Sequence, residues 1–520
     1  MNHAQRHAVI ARYVAALRTV ADTSVGGVAV RESLRRGATD LWASSAVRES
    51  SPWRNASHYD QITALIGGAD TKTPGTSGRG RHLRRAGVAW VRSLVHALRP
   101  HRNLSLDAEV VFVGYWPTGS VVDRANPSGW TSPYFGRLPD ELHRAGISVG
   151  FLHVHADGPV TAPPRGVRRR LRWLERSGTR HQLLADHHGV VGWWRALRTW
   201  VRLARGAPSA REIGERLAPG GDARRLWGWW TDAFEGSTFG SHAVRSSLLA
   251  EHSRTAVERN PRTRLWIVAF EGQSWESCLA RQLDAHGVAW LPYLHTMMRP
   301  WDLRAHTFLA EHAPASLAVH GSHDRAELDR YGSSIVEVEA LRYQHLGDRD
   351  ADGAHNIATT TDGIPVWLVV GGAECAASAR ELQRFLAAVA TSGARRHIVV
   401  KWHPQCTAPA HDDAFVVVDR PLREAFRGAN AAFMVGSAAP LDAYLAGVPS
   451  CSLASPSGLS MTPLDEDDYF HVAADADDAV SWLASAERRR NDNPPVDRYF
   501  IVDARLVRWR GVVAGYVNPR

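Results

Sequence analysis

His397-Ile398-Val399-Val400-Lys401-Trp402-His403-Pro404-Gln405, and then Ala431-Ala432-Phe433-Met434-Val435-Gly436-Ser437-Ala438-Ala439-Pro440, decide how this chain is read. Each segment starts as a short apolar run and ends in turn residues. Such runs suit strands buried on both faces of a parallel sheet. Leu441-Asp442-Ala443-Tyr444-Leu445-Ala446 continues as a helix, and Gly447-Val448-Pro449 leads into a third apolar piece ending at Leu453. The order is strand, loop, connection, strand, glycine-serine turn, helix, strand. Ligands of open parallel sheets bind beyond the carboxyl ends of the strands. His403 and the Gly436-Ser437 turn are therefore expected on one edge.

The chemistry of that edge suits an anion. Gly436, Ser437 and Ala438 are small and precede a helix, where backbone N–H groups and the positive dipole end can hold phosphate. Lys401 adds a point charge from the neighbouring strand end. The chain has 62 Lys plus Arg, yet lysine stands only at Lys72 and Lys401. A compact ammonium kept among arginines hints at a particular role. The competing reading is a surface lysine beside an ordinary strand-to-helix turn.

Lys-x-His-Pro followed by Gly-Ser-x-x-x-x-Asp-Ala-x-x-x-Gly-Val-Pro resembles the donor half of GT-B glycosyltransferases of bacterial surface polysaccharides. Sialyltransferases, Kdo transferases and CDP-glycerol polymerases share a similar His-Pro motif and serine turn. The resemblance implies that His403 and Ser437 contact nucleotide phosphates. The family turn carries two or three serines where this chain has Gly-Ser-Ala-Ala. With the glycines after the strand 365–370, the expected donor side is Gly371, Gly372, Lys401, His403, Pro404, Gly436, Ser437, Ala438 and Asp442.

Upstream, Glu109-Val110-Val111-Phe112-Val113 reads as a strand ending at Gly114-Tyr115, followed by a polar loop, a helix over 138–145 and a strand over 147–153. This order begins a doubly wound unit. Arg264-Leu265-Trp266-Ile267-Val268-Ala269-Phe270 is the next strand and runs into Glu271-Gly272-Gln273. Another strand, 288–293, ends at Leu294-His295-Thr296. Two consecutive strand ends thus carry an acid and a histidine, either of which can serve as a general base. The alternative is a helix-capping Glu276 and a structural His295. Phe270-Glu271-Gly272-Gln273-Ser274-Trp275-Glu276, the Leu-His-Thr end and Arg299 resemble the acceptor half of a bacterial surface carbohydrate biosynthesis family. The expected catalytic pair is Glu271 and His295, with Tyr115, Glu276 and Arg299 on the acceptor side.

The N-terminal hundred residues read as mixed helix and strand, with a basic and apolar helix over 84–98. The stretch 166–230 interleaves arginine and tryptophan and reads as a helical insertion. Such a surface suits lipid phosphate better than nucleic acid, and a core filled by tryptophan is the plainer alternative. A net charge of +9 fits a phosphorylated or membrane-borne partner. No apolar run reaches membrane-span length and no apolar signal core opens the chain, so a cytoplasmic protein is expected. Cys278, Cys375, Cys406 and Cys451 show no CxxC spacing, so neither a zinc site nor a disulfide framework is expected.

The fold expected is α/β and GT-B-like, two doubly wound Rossmann-like domains facing a cleft. The first spans 1–346 with a helical insertion at about 160–260. A linker covers 347–363, the nucleotide-binding domain covers 364–485, and 486–520 crosses back. The expected function is transfer of a sugar from a nucleotide-activated donor to a surface polysaccharide or lipid-linked glycan, inverting and without cofactor. No Asp-x-Asp is read near a strand end that would argue for a metal, and no nucleic-acid partner is expected. The alternatives are a nucleotide-sugar epimerase of the same architecture and a non-catalytic scaffold in polysaccharide assembly.

Overall fold

The computed structural model describes residues 3–50, 56–68, 78–98, 105–116, 132, 134–155, 165–175, 179–187, 189–298, 302–312, 314–346, 363–372, 375–393, 395–403, 406, 414–420, 422–435, 439–453, 462–489, 497 and 499–517. The expected linker 347–363 lies outside them except at its last position, as do Arg299, Pro404, Gly436, Ser437 and Ala438.

Two parallel sheets build the molecule. The first contains β1 (Val110–Tyr115), β2 (Val149–Val154), β3 (Arg180–Leu183), β4 (Leu265–Ala269), β5 (Trp290–Tyr293), β6 (Ser316–Val319) and β7 (Ser334–Glu337) in the order β7-β6-β5-β4-β1-β2-β3. Every pairing in it is parallel. The strand order reverses between β1 and β4. Helices cover both faces, so the central strands are buried throughout and carry unbroken apolar runs.

The expected insertion does not stand alone, and it is not purely helical. It contributes β3 to the sheet edge, and its helices merge with the N-terminal segment into one layer. There, α1 (His3–Asp22) and α2 (Arg79–Ala97) pack with α3 (Val190–Gly206), α4 (Asp222–Phe239) and α5 (Ser241–Glu258). Tyr13 of α1 meets Trp230 of α4 edge-on at 5.4 Å, and Trp227 and Phe234 complete that core. Trp193, Trp227 and Trp230 are buried, so much of the tryptophan serves packing. Among its described residues the N-terminal segment is mostly helical, with strands confined to two hairpins of two-residue strands. The basic and apolar helix expected over 84–98 is part of α2. Its Trp90 turns inward against Trp193, while Leu98 shares the outer face with Val88 and Val91.

After β4, α6 (Ser274–Ala285) packs against α5. The second sheet contains β8 (Val366–Gly371), β9 (His397–Lys401), β10 (Val416–Val417), β11 (Ala431–Val435), β12 (Ser450–Leu453) and β13 (Phe470–Ala473), in the order β10-β9-β8-β11-β12-β13. Here α7 (Cys375–Thr391) follows β8 and α8 (Pro440–Leu445) follows β11. Strand order reverses between β8 and β11. Two expectations are corrected. Cys375 and Cys406 form a disulfide, because adjacent strands β8 and β9 bring the loops after them together, with the two Cα atoms 5.4 Å apart. An Asp-x-Asp does follow a strand end, as Asp475-Ala476-Asp477 after β13, where Asp475 caps the next helix through the Asp478 N–H.

The chain then crosses back. Ile501 bridges Glu339 beyond β7, and α9 (Val507–Val517) lays Trp509 in the first core, 5.1 Å from the Tyr293 ring. Buried Glu339 accepts from the Arg508 and Trp509 N–H groups at 2.8 and 3.0 Å, a carboxylate on the positive end of α9. Gly321 lets this segment pass, since a Cβ there would lie 3.0 Å from the Tyr499 carbonyl oxygen. One apolar cluster joins the two units, with Met297, Ala340 and Tyr343 from the first against Leu441, Tyr444 and Leu464 from the second.

Candidate functional site

The reversal point of the first sheet is set by Tyr115 at the end of β1 and Glu271 just beyond β4. Gly272 gives the chain its sharp turn there, with φ +69°. A Cβ on it would lie 2.8 Å from the Arg304 backbone, so only glycine fits. The turn leaves the Glu271 carboxylate 18% exposed, with Oε1 3.1 Å from Nε2 of His295, whose side chain is 3% exposed. Pairing of β4 with β5 in parallel register puts the two side by side. Tyr134 meets the His295 ring edge-on at 4.8 Å.

Glu276 lies beneath this pair and caps α6. Its carboxylate accepts from the backbone N–H groups of Glu271 and Gln273 at 3.0 to 3.2 Å. Burial, and then the charge of Glu271, push its pKa well above the usual carboxylate range. Tyr115 stands edge-on to Trp275 at 5.6 Å, and burial with the nearby Glu276 and Glu271 charges raises its phenol.

The helical layer roofs this edge with cations that sequence reading did not single out. Arg48 donates through Nε and Nη2 to Gln273 Oε1 at 3.2 and 3.1 Å, and Gln273 Nε2 reaches Glu271 Oε2 at 3.4 Å. Arg48 also pairs with Glu49, which faces His242 at 3.4 Å. Burial opposes the Glu49 charge, but Arg48, His242, Arg304 and Arg245 outweigh it and hold the carboxyl below its ordinary pKa. Burial and the Arg48 charge lower the pKa of Arg245, whose buried Nε has no hydrogen-bond partner among the described residues. Three guanidiniums, those of Arg48, Arg245 and Arg304, therefore lie within charge range of the Glu49 carboxylate, and Arg48 links it to Glu271 through Gln273. No local pattern marks them, since Arg48 and Gln273 are 225 residues apart.

The second edge is equally regular. Val370 pairs with Lys401 and Gly371 pairs with Val435, so three strand ends align. The turn Gly436-Ser437-Ala438 leaves from Val435 but lies outside the described residues. A Cβ on Gly371 would sit 3.2 Å from the Trp402 ring, which explains that glycine. The Gly372 N–H donates to Ser378 Oγ at 3.0 Å, another residue the sequence did not flag. Lys401 and His403 are half-buried at this edge.

Asp442 faces the other unit rather than this edge alone. Burial raises its carboxyl pKa, and Arg342 of the first unit opposes that rise. Arg342 is exposed and lies within charge range of Tyr343, Asp442, Tyr134 and Glu271. One guanidinium is thus within charge range of both the acid of the first sheet edge and an acid of the second unit.

No protein-family model and no curated protein sequence matches this chain. Solved structures resemble it at low identity. A UDP-N-acetylglucosamine 2-epimerase from Rickettsia bellii is 9% identical, covering 79% of this chain and 96% of its own, at a TM-score of 0.42. The calicheamicin glycosyltransferase CalG4 is 12% identical over 79% and 100%, at 0.41. A variant of the wall teichoic acid polymerase TagF is 9% identical over 84% and 96%, at 0.38. At these identities and scores the likeness says nothing about chemistry.

Proposed function

We propose that this protein is a glycosyltransferase moving a sugar from a nucleotide-activated donor to a hydroxyl of a surface polysaccharide or lipid-linked glycan. The observation that carries the reading is Arg342, in charge range of both Glu271 on one sheet edge and Asp442 on the other unit. Glu271 takes the acceptor hydroxyl proton, and His295 holds the carboxylate in place. The hydroxyl oxygen then bonds to the anomeric carbon as the bond from that carbon to the donor phosphate oxygen breaks. The electron pair leaves with the phosphate, and Arg342, Lys401 and His403 meet its charge. A single displacement of this kind inverts the anomeric centre. Gly371, Gly372 and the Gly436-Ser437-Ala438 turn line the phosphates in this reading. The cations around Glu49 favour an acceptor carrying its own anionic group near the reacting hydroxyl.

The test is calorimetry with CMP-, CDP-, UDP- and GDP-linked sugars. His403→Ala and Ser437→Ala should each weaken the preferred donor by roughly 1.5–3 kcal/mol while leaving the fold intact. Unchanged affinity in both variants removes the phosphate site. Incubating donor without acceptor separates the epimerase alternative, which alone yields an epimerised nucleotide sugar.

A further inference from the structure

Among the described residues, no helix is long and apolar enough to cross a membrane. One pair of helices nevertheless turns apolar side chains to solvent in an ordered way. On α2, Val88, Val91, Val95 and Leu98 are 49%, 65%, 55% and 65% exposed. Their spacing of three, four and three residues puts them on one stripe. The opposite face of α2 is already buried through Ala86, Trp90, Ser93 and Ala97. Packing of the helix therefore does not explain the stripe. Scattered exposed apolar residues are ordinary on a protein surface, whereas a four-residue stripe marks a contact surface.

The neighbouring helix extends it. His96 of α2 lies 3.2 Å from the Ala185 carbonyl oxygen, Ser93 accepts from Trp193 Nε1 at 2.9 Å, and Trp90 sits 5.8 Å from Trp200. The helices therefore run antiparallel, and the Val95 and Leu98 end of α2 adjoins the start of α3. That start exposes Val190, Val191 and Trp194. Both helices rest on α5, through Val244 and Leu248, so their outer faces point away from it together.

The charge on this face has one sign. Neither α2 nor α3 contains an aspartate or glutamate. Arg84, Arg85 and Arg92 flank the apolar stripe of α2, and Arg198, Arg202 and Arg205 continue the exposed side of α3. Arg195 is offset by Glu251 at 3.4 Å. A second copy of this chain would set arginine against arginine. An apolar stripe bordered by arginine, with a tryptophan at its edge, matches a bilayer bearing anionic headgroups.

We infer that the outer face of α2 and α3 docks on an anionic lipid surface, with the valine stripe entering the headgroup boundary and the arginines meeting lipid phosphates. This goes beyond the transferase reading, and its test needs neither nucleotide nor acceptor, so either idea can fail without the other. The full chain is sedimented with vesicles of phosphatidylcholine mixed with phosphatidylglycerol, and with phosphatidylcholine alone. The wild type should bind the mixed vesicles, bind the neutral ones poorly, and detach as salt rises. Val91→Glu with Val95→Glu should lower the partition coefficient by at least ~10-fold, as should Arg84→Gln with Arg85→Gln and Arg92→Gln. These positions are exposed, so circular dichroism should report an unchanged fold. Failure of the wild type to bind mixed vesicles at low salt would overturn the inference. So would wild-type binding by both folded variants. If Val91→Glu with Val95→Glu instead turns an oligomer into a monomer on gel filtration, the stripe is a protein contact and the lipid assignment falls.

Discussion

Glu271 Oε1 and His295 Nε2 stand 3.1 Å apart at the ends of adjacent parallel strands, and only the carboxylate reaches solvent. This asymmetry divides their labour. Glu271 can touch an acceptor hydroxyl, whereas His295 is enclosed and acts through Glu271. Loss of a general base costs roughly 100- to 10,000-fold. Glu271→Gln should therefore lower kcat in that range with donor affinity unchanged. Wild-type turnover by Glu271→Gln would exclude the carboxylate. His295→Asn should cost less and displace the acid limb of the pH–rate profile, a shift that a merely structural histidine would not produce.

Arg342 is expected to act on the departing phosphate. Removing a donor that stabilises developing charge costs about 100- to 1,000-fold in kcat. Arg342→Gln should show that loss with little change in donor Kd. An equal loss in Asp442→Asn would mean that the contact between units matters instead of charge on the phosphate.

Gly272→Ala should disturb the site without touching the chemistry. Alanine at φ +69° costs roughly 1–2 kcal/mol, and its Cβ would press on the Arg304 backbone. Urea unfolding should show lower stability of the first unit, and activity should fall through misplacement of Glu271. Unchanged stability would show that this turn relaxes freely.

His153 and His181 give the first unit a defined acid sensitivity. Their rings stack with Nε2 and Nδ1 3.0 Å apart. Burial lowers His181 to about 3 and His153 well below its ordinary value, with the His181 charge adding to the latter. A histidine whose folded pKa is depressed is protonated first in the unfolded chain. Stability should thus be constant above the unfolded value near 6.5 and decline as pH falls below it, by up to ~1.4 kcal/mol per pH unit for each ring. Denaturant titrations between neutral and mildly acid pH would measure this. A slope unaltered in His181→Gln would assign the sensitivity elsewhere, for instance to buried His312 and His320.

Reducing the Cys375–Cys406 link should destabilise the second unit. Its 31-residue separation corresponds to roughly 3–4 kcal/mol of loop-closure entropy in the unfolded chain. Equal urea midpoints with and without reductant would remove that contribution.

What the sequence made legible was local. Buried strands announce themselves as apolar runs, so β1, β4, β8, β9 and β11 could be placed, and a single crossover helix between β4 and β5 made neighbours of Glu271 and His295. Contacts set by strand order or by distant segments left no such trace. The disulfide follows from β8 lying beside β9, and Arg48 reaches Gln273 from a segment that read as a separate region. Asp442 sits in the right motif, but only the packing of α8 against the first unit shows that it faces Arg342. Strand β13 was not anticipated because its Phe470-His471-Val472-Ala473 is short and its apolar run is broken by a histidine.

The return of α9 to the first core has a consequence for biosynthesis. A ribosome emits β1 to β7 long before Trp509, yet Tyr293 and buried Glu339 are completed only by that helix. The second sheet is one unbroken stretch and can close as soon as it emerges. The half of the molecule translated first is therefore finished last, and its incomplete β5–β7 side must be shielded throughout elongation.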